Sequence, residues 1–394
     1  MSRPPRALEN LSEQPADSLL ALIGLFEADP RENKIDLGVG VYRDRGGHTP
    51  VMRSVKAAEH LLLERQTTKA YLGPEGDPVF VDLLAPIVFS PALVGAARLA
   101  GIQTPGGTGA LRLAAELLAQ TGADPTVWVG TPTWPNHLPI LKAAGLRVET
   151  YAYFDVAEQR LRFADLMAAF ERASPGDVVL LHGCCHNPTG AGLGLEGWQQ
   201  VADVIAARGL VPLIDLAYQG LGQSLEADAH GTRLVLAAAE QALIAYSCDK
   251  NFGLYRERTG ALFALAHDGA TAAKVRANLL ALARAAWSMP PDHGAAVVRT
   301  ILESTELTQG WHAELEAMGQ RLADVRQALA QADERLAPLA DQEGMFSVLP
   351  IPPAGIAALR EQHGIYMAPS GRINLAGLNP TNLSTFAAAV GEYL

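Results

Sequence analysis

The residues of this 394-residue chain that could do chemistry gather at the ends of apolar runs. Lys250 follows the strand-like run "ALIAYS" and lies within "SCDKNFGLYRER", between Asp249 and Asn251. A lysine there is either a solvated loop residue or an amine held at a strand's C-terminal end, where open α/β sheets bind ligands. Asp215 sits inside the apolar run "LIDLAYQG" and needs a cation or hydrogen-bond donors to offset its burial. It reads either as half of a structural ion pair or as the partner of a cofactor's positive ring nitrogen, with Tyr218 three residues on. In "TPGGTGALR", Gly106, Gly107 and Gly109 stand just before a helix-period stretch. The segment is either a plain glycine turn or a helix start whose free N–H groups hold a phosphate. Its G-G-x-G spacing and the lack of a clear strand before it depart from the dinucleotide fingerprint. Arg372 in "SGRINLAG" and Arg284 in "LARAAWSMPP" carry donor forks suited to carboxylates, although each alone also fits a surface arginine.

"HGCCHNPTG" groups two histidines with two cysteines, but adjacent Cys184 and Cys185 lack the gap that lets two thiolates face one ion. No metal is expected. The Asn187-Pro188 bond is either an ordinary turn or a cis bond that fixes the asparagine side chain.

These residues need a scaffold that brings strand ends together. "TVWVG", "RVETYAY", "DVVLLHG", "VPLIDLAY", "ALIAYS" and "GALFALA" read as strands, and segments such as "LRLAAELLAQ" and "LEGWQQVADVIAARG" as helices between them. That alternation predicts an α/β fold with helices on both faces of a sheet. "ELTQGWHAELEAMGQRLADVRQALAQA" reads as one long amphipathic helix. "GMFSVLP", "GRINLAGL" and a closing helix from Asn379 suggest a smaller α+β unit, joined by an N-terminal helix "DSLLALIGLFEADP" that stops at Asp29-Pro30. The expected division is an N-terminal arm (1–15), a small domain from both chain ends (16–48 and 315–394) and a large cofactor-binding domain (49–314).

Composition narrows the classes. A 49% hydrophobic chain of this length buries a large core, and its net charge of −11 with no basic run argues against a nucleic-acid surface. The start, "MSRPPRALENLSEQ", has no apolar stretch of a secretory signal, and no run approaches the ~20 residues of a membrane helix. Together with three cysteines, two of them adjacent, this points to the cytoplasm.

A strand-end lysine, a buried aspartate, a phosphate loop and a carboxylate-seeking arginine are the parts that pyridoxal phosphate chemistry uses. In order, "KIDLGVGVYRD", "YLGPEG", "TPGGTGALR", "PTWPNH", "LLHGCCHNPTG", "IDLAYQG", "SCDKNFGLYRERTG", "MPPDHGA" and "SGRINLAG" resemble the class I aminotransferases, in their aspartate/aromatic subgroup. The resemblance runs from about residue 15 to the C-terminus. It implies the type I fold of pyridoxal-phosphate-dependent transferases, with a mixed, mostly parallel sheet sandwiched by helices, and a homodimer with shared active sites.

By the same resemblance, Lys250 matches the lysine that forms the Schiff base, Asp215 the carboxylate that keeps the ring nitrogen protonated, and Tyr218 with Asn187 the pair on the ring's phenolic oxygen. Trp134 matches the aromatic plate on the ring and His137 the residue that orients the aspartate. Gly107, Thr108, Ser247 and Arg258 match the phosphate ligands, with Tyr71 reaching in from the other subunit. Arg372, the Gly40 backbone and Asn187 match the grip on the substrate's α-carboxylate, and Arg284, again from the other subunit, the distal carboxylate. The implied reaction is a two-half transfer with ping-pong kinetics, in which freed Lys250 carries the Cα proton.

Two departures stand out. The family has a small hydroxyl residue where this chain has Asp249, and a carboxylate facing a phosphate would be repelled by roughly 4 kcal/mol at an effective dielectric of about 20. Asp249 is therefore expected to point away. Ala70, Trp287 and Met289 stand near the expected side-chain pocket in place of polar groups, which favours aromatic substrates unless these residues only pack a dimer interface. The expected activity is transfer between an aromatic amino acid and 2-oxoglutarate, with aspartate and glutamate also accepted. The rival readings are an aspartate aminotransferase, a lyase or decarboxylase on the same lysine, and a cofactor-binding regulator.

Overall fold

The computed structural model describes residues 7–13 and 18–394. Of the N-terminal arm expected over 1–15, residues 1–6, 14 and 15 lie outside the described residues, as does Asp17 at the start of the first expected helix. Among the described residues the strands, in chain order, are β1 (Ile35–Asp36), β2 (Leu99–Pro105), β3 (Thr126–Thr131), β4 (Arg147–Ala152), β5 (Phe154–Asp155), β6 (Arg160–Leu161) and β7 (Val178–His182). They continue as β8 (Val211–Leu216), β9 (Ala242–Ser247), β10 (Thr259–Leu265), β11 (Phe346–Val348), β12 (Ile365–Tyr366) and β13 (Arg372–Asn374).

The central sheet has seven strands in the order β2-β10-β9-β8-β7-β3-β4. β10 runs antiparallel to both its neighbours, and the remaining pairs are parallel. The two-residue period of a strand sends alternate side chains to opposite faces. Leu180, Leu213 and Leu243 join one core, while Leu181, Ile214 and Ile244 join another on the far side. Helices cover both faces, which is why these strands read as continuous apolar runs. The fold is of the expected α/β class.

β2 was not expected. Its sequence "LAGIQTP" is interrupted by Gly101, which weakens the strand signal. The interruption has a packing reason: a Cβ at Gly101 would meet Val81 Cγ1 at 2.6 Å and Phe263 Cδ1 at 2.8 Å. β2 therefore leads directly into the helix Gly106–Ala119, so the glycine segment does follow a strand.

The two chain ends meet away from the central sheet. β1 pairs in parallel with β12, and Ile35 and Leu37 share a third core with Leu359, Ile373 and Phe386. The helix Thr305–Ala332 links both regions, placing Trp311 and Leu315 against the sheet's core and Val325 and Leu329 in the third one. No helix among the described residues is long and apolar enough to cross a membrane.

Candidate active site

Parallel strands bring their C-terminal ends to one edge, and the expected site residues lie along it. In register, β10 sets Thr259 opposite Pro105 and Gly260 opposite Ser247, which joins the start of the helix Gly106–Ala119 to the end of β9. That helix has no side-chain cap, so its first N–H groups have no partner supplied by the chain in this way. Gly106 adopts φ +67°, which a side chain would strain. A Cβ at Gly107 would lie 3.1 Å from Ser247 Cβ, and one at Gly106 would lie 2.8 Å from Arg258 Nη2. Gly107, Ser247 and Arg258 are therefore neighbours, and Thr108 follows on the same first helical turn.

Asp215, near the end of β8, is buried, and its Oδ2 lies 3.0 Å from His137 Nε2. Thr133 Oγ continues the network, 2.8 Å from His137 Nδ1 and 3.1 Å from His182 Nε2. Trp134 stands edge-on to His137, with ring centroids 5.2 Å apart. Burial raises the Asp215 carboxyl, but the His137 hydrogen bond and the nearby Lys250 ammonium outweigh it and hold Asp215 below the ordinary carboxylate value. Burial and the neighbouring His137 push His182 down to about 3, so it stays neutral.

Lys250 is partly buried in the loop after β9, with Nζ 5.1 Å from the centroid of the Tyr218 ring. Burial lowers its ammonium below the usual lysine value, while Asp249 and Asp215 work in the other direction. Tyr218 accepts from Asn187 Nδ2 at 3.3 Å, and the buried Oδ1 of Asn187 has no protein partner. The Asn187-Pro188 bond is cis. Burial, then the charge of Asp215, raises the Tyr218 hydroxyl.

Arg372 opens β13, donates from Nη2 to the Gly38 carbonyl at 2.8 Å, and leaves a buried Nε without a partner. Asn374 on the same strand donates to the carbonyls of Val39 at 2.6 Å and Val41 at 2.7 Å, which fixes the segment carrying Gly40. Phe346, not expected from sequence, joins these parts. Its ring lies 4.7 Å beneath the Arg372 guanidinium and edge-on to Tyr218 at 5.8 Å, and a Cβ at Gly40 would meet its Cζ at 3.1 Å. It lies in an ordinary apolar run, so no local signal marks it. Thr133 is likewise a connector, although it stands in the singled-out "PTWPNH".

Two expected residues are not brought to this group. Tyr71 is 93% exposed and, with Ala70 and Met289, lines a separate cleft of about 1190 Å³. Arg284 is exposed at the end of the helix Gly269–Ala286, where it donates to Ser288 Oγ at 2.6 Å. Trp287 packs against the sheet's core instead of lining that cleft.

Asp249 corrects the expectation that it points away. It is buried, its Oδ2 pairs with Arg258 Nη1, and its Oδ1 accepts the Thr259 N–H at 3.2 Å. Arg258 turns back toward it with φ +52°. Among the described residues Cys184, Cys185 and Asp228 also bring possible metal ligands within 4.8 Å of one another. The Asp228 carboxylate, however, already accepts three backbone N–H groups, from Gly220, Gly222 and Gln223 at 2.7–3.0 Å.

A lysine amine free of hydrogen bonds, a buried aspartate held ionised, and an uncapped glycine helix start are groups that could hold a cofactor with a carbonyl, a ring nitrogen and a phosphate. Residues 32–390 match the family model "Aminotransferase class I and II". The chain belongs to that family. It is 53% identical to a tyrosine aminotransferase of Rhizobium meliloti over 96% of this chain and 97% of the relative. It is 44% identical to an aspartate aminotransferase of Escherichia coli over 97% and 98%. Among solved structures, an aromatic-amino-acid aminotransferase from Burkholderia pseudomallei, covalently bound to pyridoxal phosphate, superposes with a TM-score of 0.95 at 36% identity, over 98% of this chain and 99% of that one.

Proposed function

We propose that this enzyme uses pyridoxal phosphate to move the amino group between an aromatic amino acid and 2-oxoglutarate, and that it also accepts aspartate and glutamate. The observation that carries the reading is Lys250: an amine without a hydrogen bond, shifted by burial toward its neutral form, at the same sheet edge as an ionised Asp215. The orphaned Asn187 Oδ1 and Arg372 Nε, together with the uncapped glycine helix start, fit a ligand with polar groups at both ends.

When bound, pyridoxal phosphate supplies an electron sink for the pair released as the substrate's Cα–H bond breaks. Asp215, ionised and aimed by His137, would hold the proton on the ring nitrogen, and Tyr218 with Asn187 would hold the ring's phenolic oxygen. Trp134 would cover the ring, while Gly107, Thr108, Ser247 and Arg258 would hold the phosphate. Lys250 would hold the cofactor at its carbonyl carbon, and its amine would move the Cα proton as general base, a task suited to an amine with a lowered pKa. Arg372 and the Gly40 backbone, with Asn187, fix the α-carboxylate.

We propose a homodimer in which the partner subunit's Tyr71 and the partner subunit's Arg284 complete the phosphate and distal-carboxylate contacts; their exposure in one chain supports this. The division into an arm (1–15), a small domain (16–48 and 315–394) and a large domain (49–314) belongs to the same proposal, supported by the separate core shared by the chain ends. Three free cysteines support a cytoplasmic setting. Aromatic preference rests on Ala70 and Met289 lining the Tyr71 cleft and on the relatives named for aromatic substrates. The 44% identical aspartate aminotransferase favours the second reading, aspartate as the preferred donor.

Borohydride treatment of the purified enzyme should fix the cofactor on Lys250; a peptide map with no label there would refute the chemistry. Comparing kcat/KM for tyrosine and aspartate, with 2-oxoglutarate as acceptor, tests the preference. An advantage for aspartate above about tenfold would favour the second reading.

A further inference from the structure

The phosphate corner already contains an anion. The Asp249 carboxylate takes Nη1 of Arg258 and the N–H of Thr259, and a Cβ at Gly106 would lie 3.1 Å from its Oδ2. Ser247 Oγ accepts the N–H of Asp249 at 3.3 Å and lies 3.7 Å from the Cβ position of Gly107. The guanidinium and the helix start that suit a phosphate are thus grouped around one carboxylate, with the Ser247 hydroxyl on the same residue's backbone N–H, at a position where a hydroxyl would raise no conflict.

Resting on the function proposed above, we infer that Asp249 is an internal competitor for Arg258. The cofactor's phosphate binds in this corner only when the carboxylate takes up a proton or gives up the arginine. The proton comes from solvent and rests on a carboxylate oxygen of Asp249, so binding of the phosphate dianion draws up to about one proton. No covalent bond to the phosphate is involved. Cofactor retention therefore depends on pH and on the concentration of free cofactor, in a way that a serine at this position would not produce.

The surroundings agree with this. The cations facing Asp249 are Lys250 and Arg258; the other titratable neighbours, Cys248 and Tyr255, are neutral, since burial raises the Cys248 thiol and pushes the Tyr255 hydroxyl up to about 12. Burial outweighs both cations and raises the Asp249 carboxyl, so protonation there is easier than for an exposed aspartate.

The test measures the dissociation constants of pyridoxal phosphate and of unphosphorylated pyridoxal from the apoenzyme of wild type, Asp249→Ser and Asp249→Asn. Calorimetry from about pH 6 to about pH 8.5 covers the range above the second phosphate ionisation. Both compounds bond Lys250, so the dissociation constant of pyridoxal divided by that of pyridoxal phosphate isolates the phosphate's contribution. In wild type this ratio should fall as pH rises, and buffers of different ionisation heat should report proton uptake. In both variants the ratio should be larger by roughly tenfold or more at neutral pH, without that fall. Asparagine keeps the shape of aspartate, which separates loss of charge from loss of structure. Equal ratios in all three proteins would overturn the inference while leaving the proposed function standing. Failure of every protein to take up either compound would overturn the proposed function, and this inference with it.

Discussion

Two buried carboxylates lie within electrostatic reach of Lys250, and the protein treats them in opposite ways. Asp215 hydrogen-bonds to His137, itself backed by Thr133 and His182, and sits below the ordinary carboxylate value. Asp249 has a formal cation, Arg258, but sits above it. A buried ion pair does not by itself keep an acid ionised, because desolvation acts on the carboxylate whether or not a partner is near. Arg258 is also half-exposed, and water screens what it offers. Asp215 succeeds because its donor is as buried as it is: His137 is 1% exposed and positioned from behind.

The sharpest way to break the comparison is at Asp215. Asp215→Asn removes the charge proposed to hold the ring proton, and turnover should fall by roughly 10³-fold or more, within the range of a lost proton-transfer group. Single-turnover kinetics with cofactor bound would check it; a loss under tenfold would mean that Asp215 is only structural. His137→Phe leaves Asp215 buried without its donor, and losing a charged hydrogen bond of about 1.5–3 kcal/mol predicts a fall in kcat of roughly ten- to a hundredfold. The acid limb of the pH–rate profile should move up with it, a change that a loss of packing alone would not produce. Thr133→Val removes a neutral link worth about 1 kcal/mol, so kcat should drop by only about fivefold. An effect as large as that of His137→Phe would mean that Thr133 contacts the reacting groups directly.

Much of this contrast was legible in sequence, but unevenly. Asp215 advertises itself as a charge inside an apolar strand, and the strands around it carry long apolar runs because both sheet faces are covered. β2 escaped notice because Gly101 was chosen for contact with Phe263 and Val81, which costs the strand its local pattern. Asp249 was visible as an oddity, yet its direction was not. It stands nine positions before Arg258, and the pair forms because Arg258 takes a left-handed turn and β10 returns antiparallel beside β9. Phe346 is a plain apolar residue until tertiary packing sets it under Arg372. Tyr71 and Arg284 were assigned by resemblance, and the single chain leaves both exposed and apart from the other site residues.

The smallest effect tests the comparison without any cofactor. A carboxyl whose pKa is lowered on folding adds stability above its unfolded value of 3.8, and this is lost as pH falls through the folded value. Asp215→Asn should therefore lower the melting temperature of the apoenzyme at neutral pH, and the deficit should shrink in acid. A carboxyl whose pKa is raised adds stability only when protonated, below 3.8, and loses it as pH climbs through the folded value. At neutral pH Asp249 thus carries a penalty that Asp249→Asn relieves. That variant should melt at or above wild type near neutrality and lose its advantage as the pH falls. Both shifts should be a few degrees at most, since each kcal/mol moves a chain of this size by only about 1–2 °C. Melting curves of the two apo variants against wild type, from about pH 8 down to the acid limit of folding, read the two signs directly. Parallel curves for both variants would mean that the two carboxylates are in the same state, and the contrast drawn between them would fall.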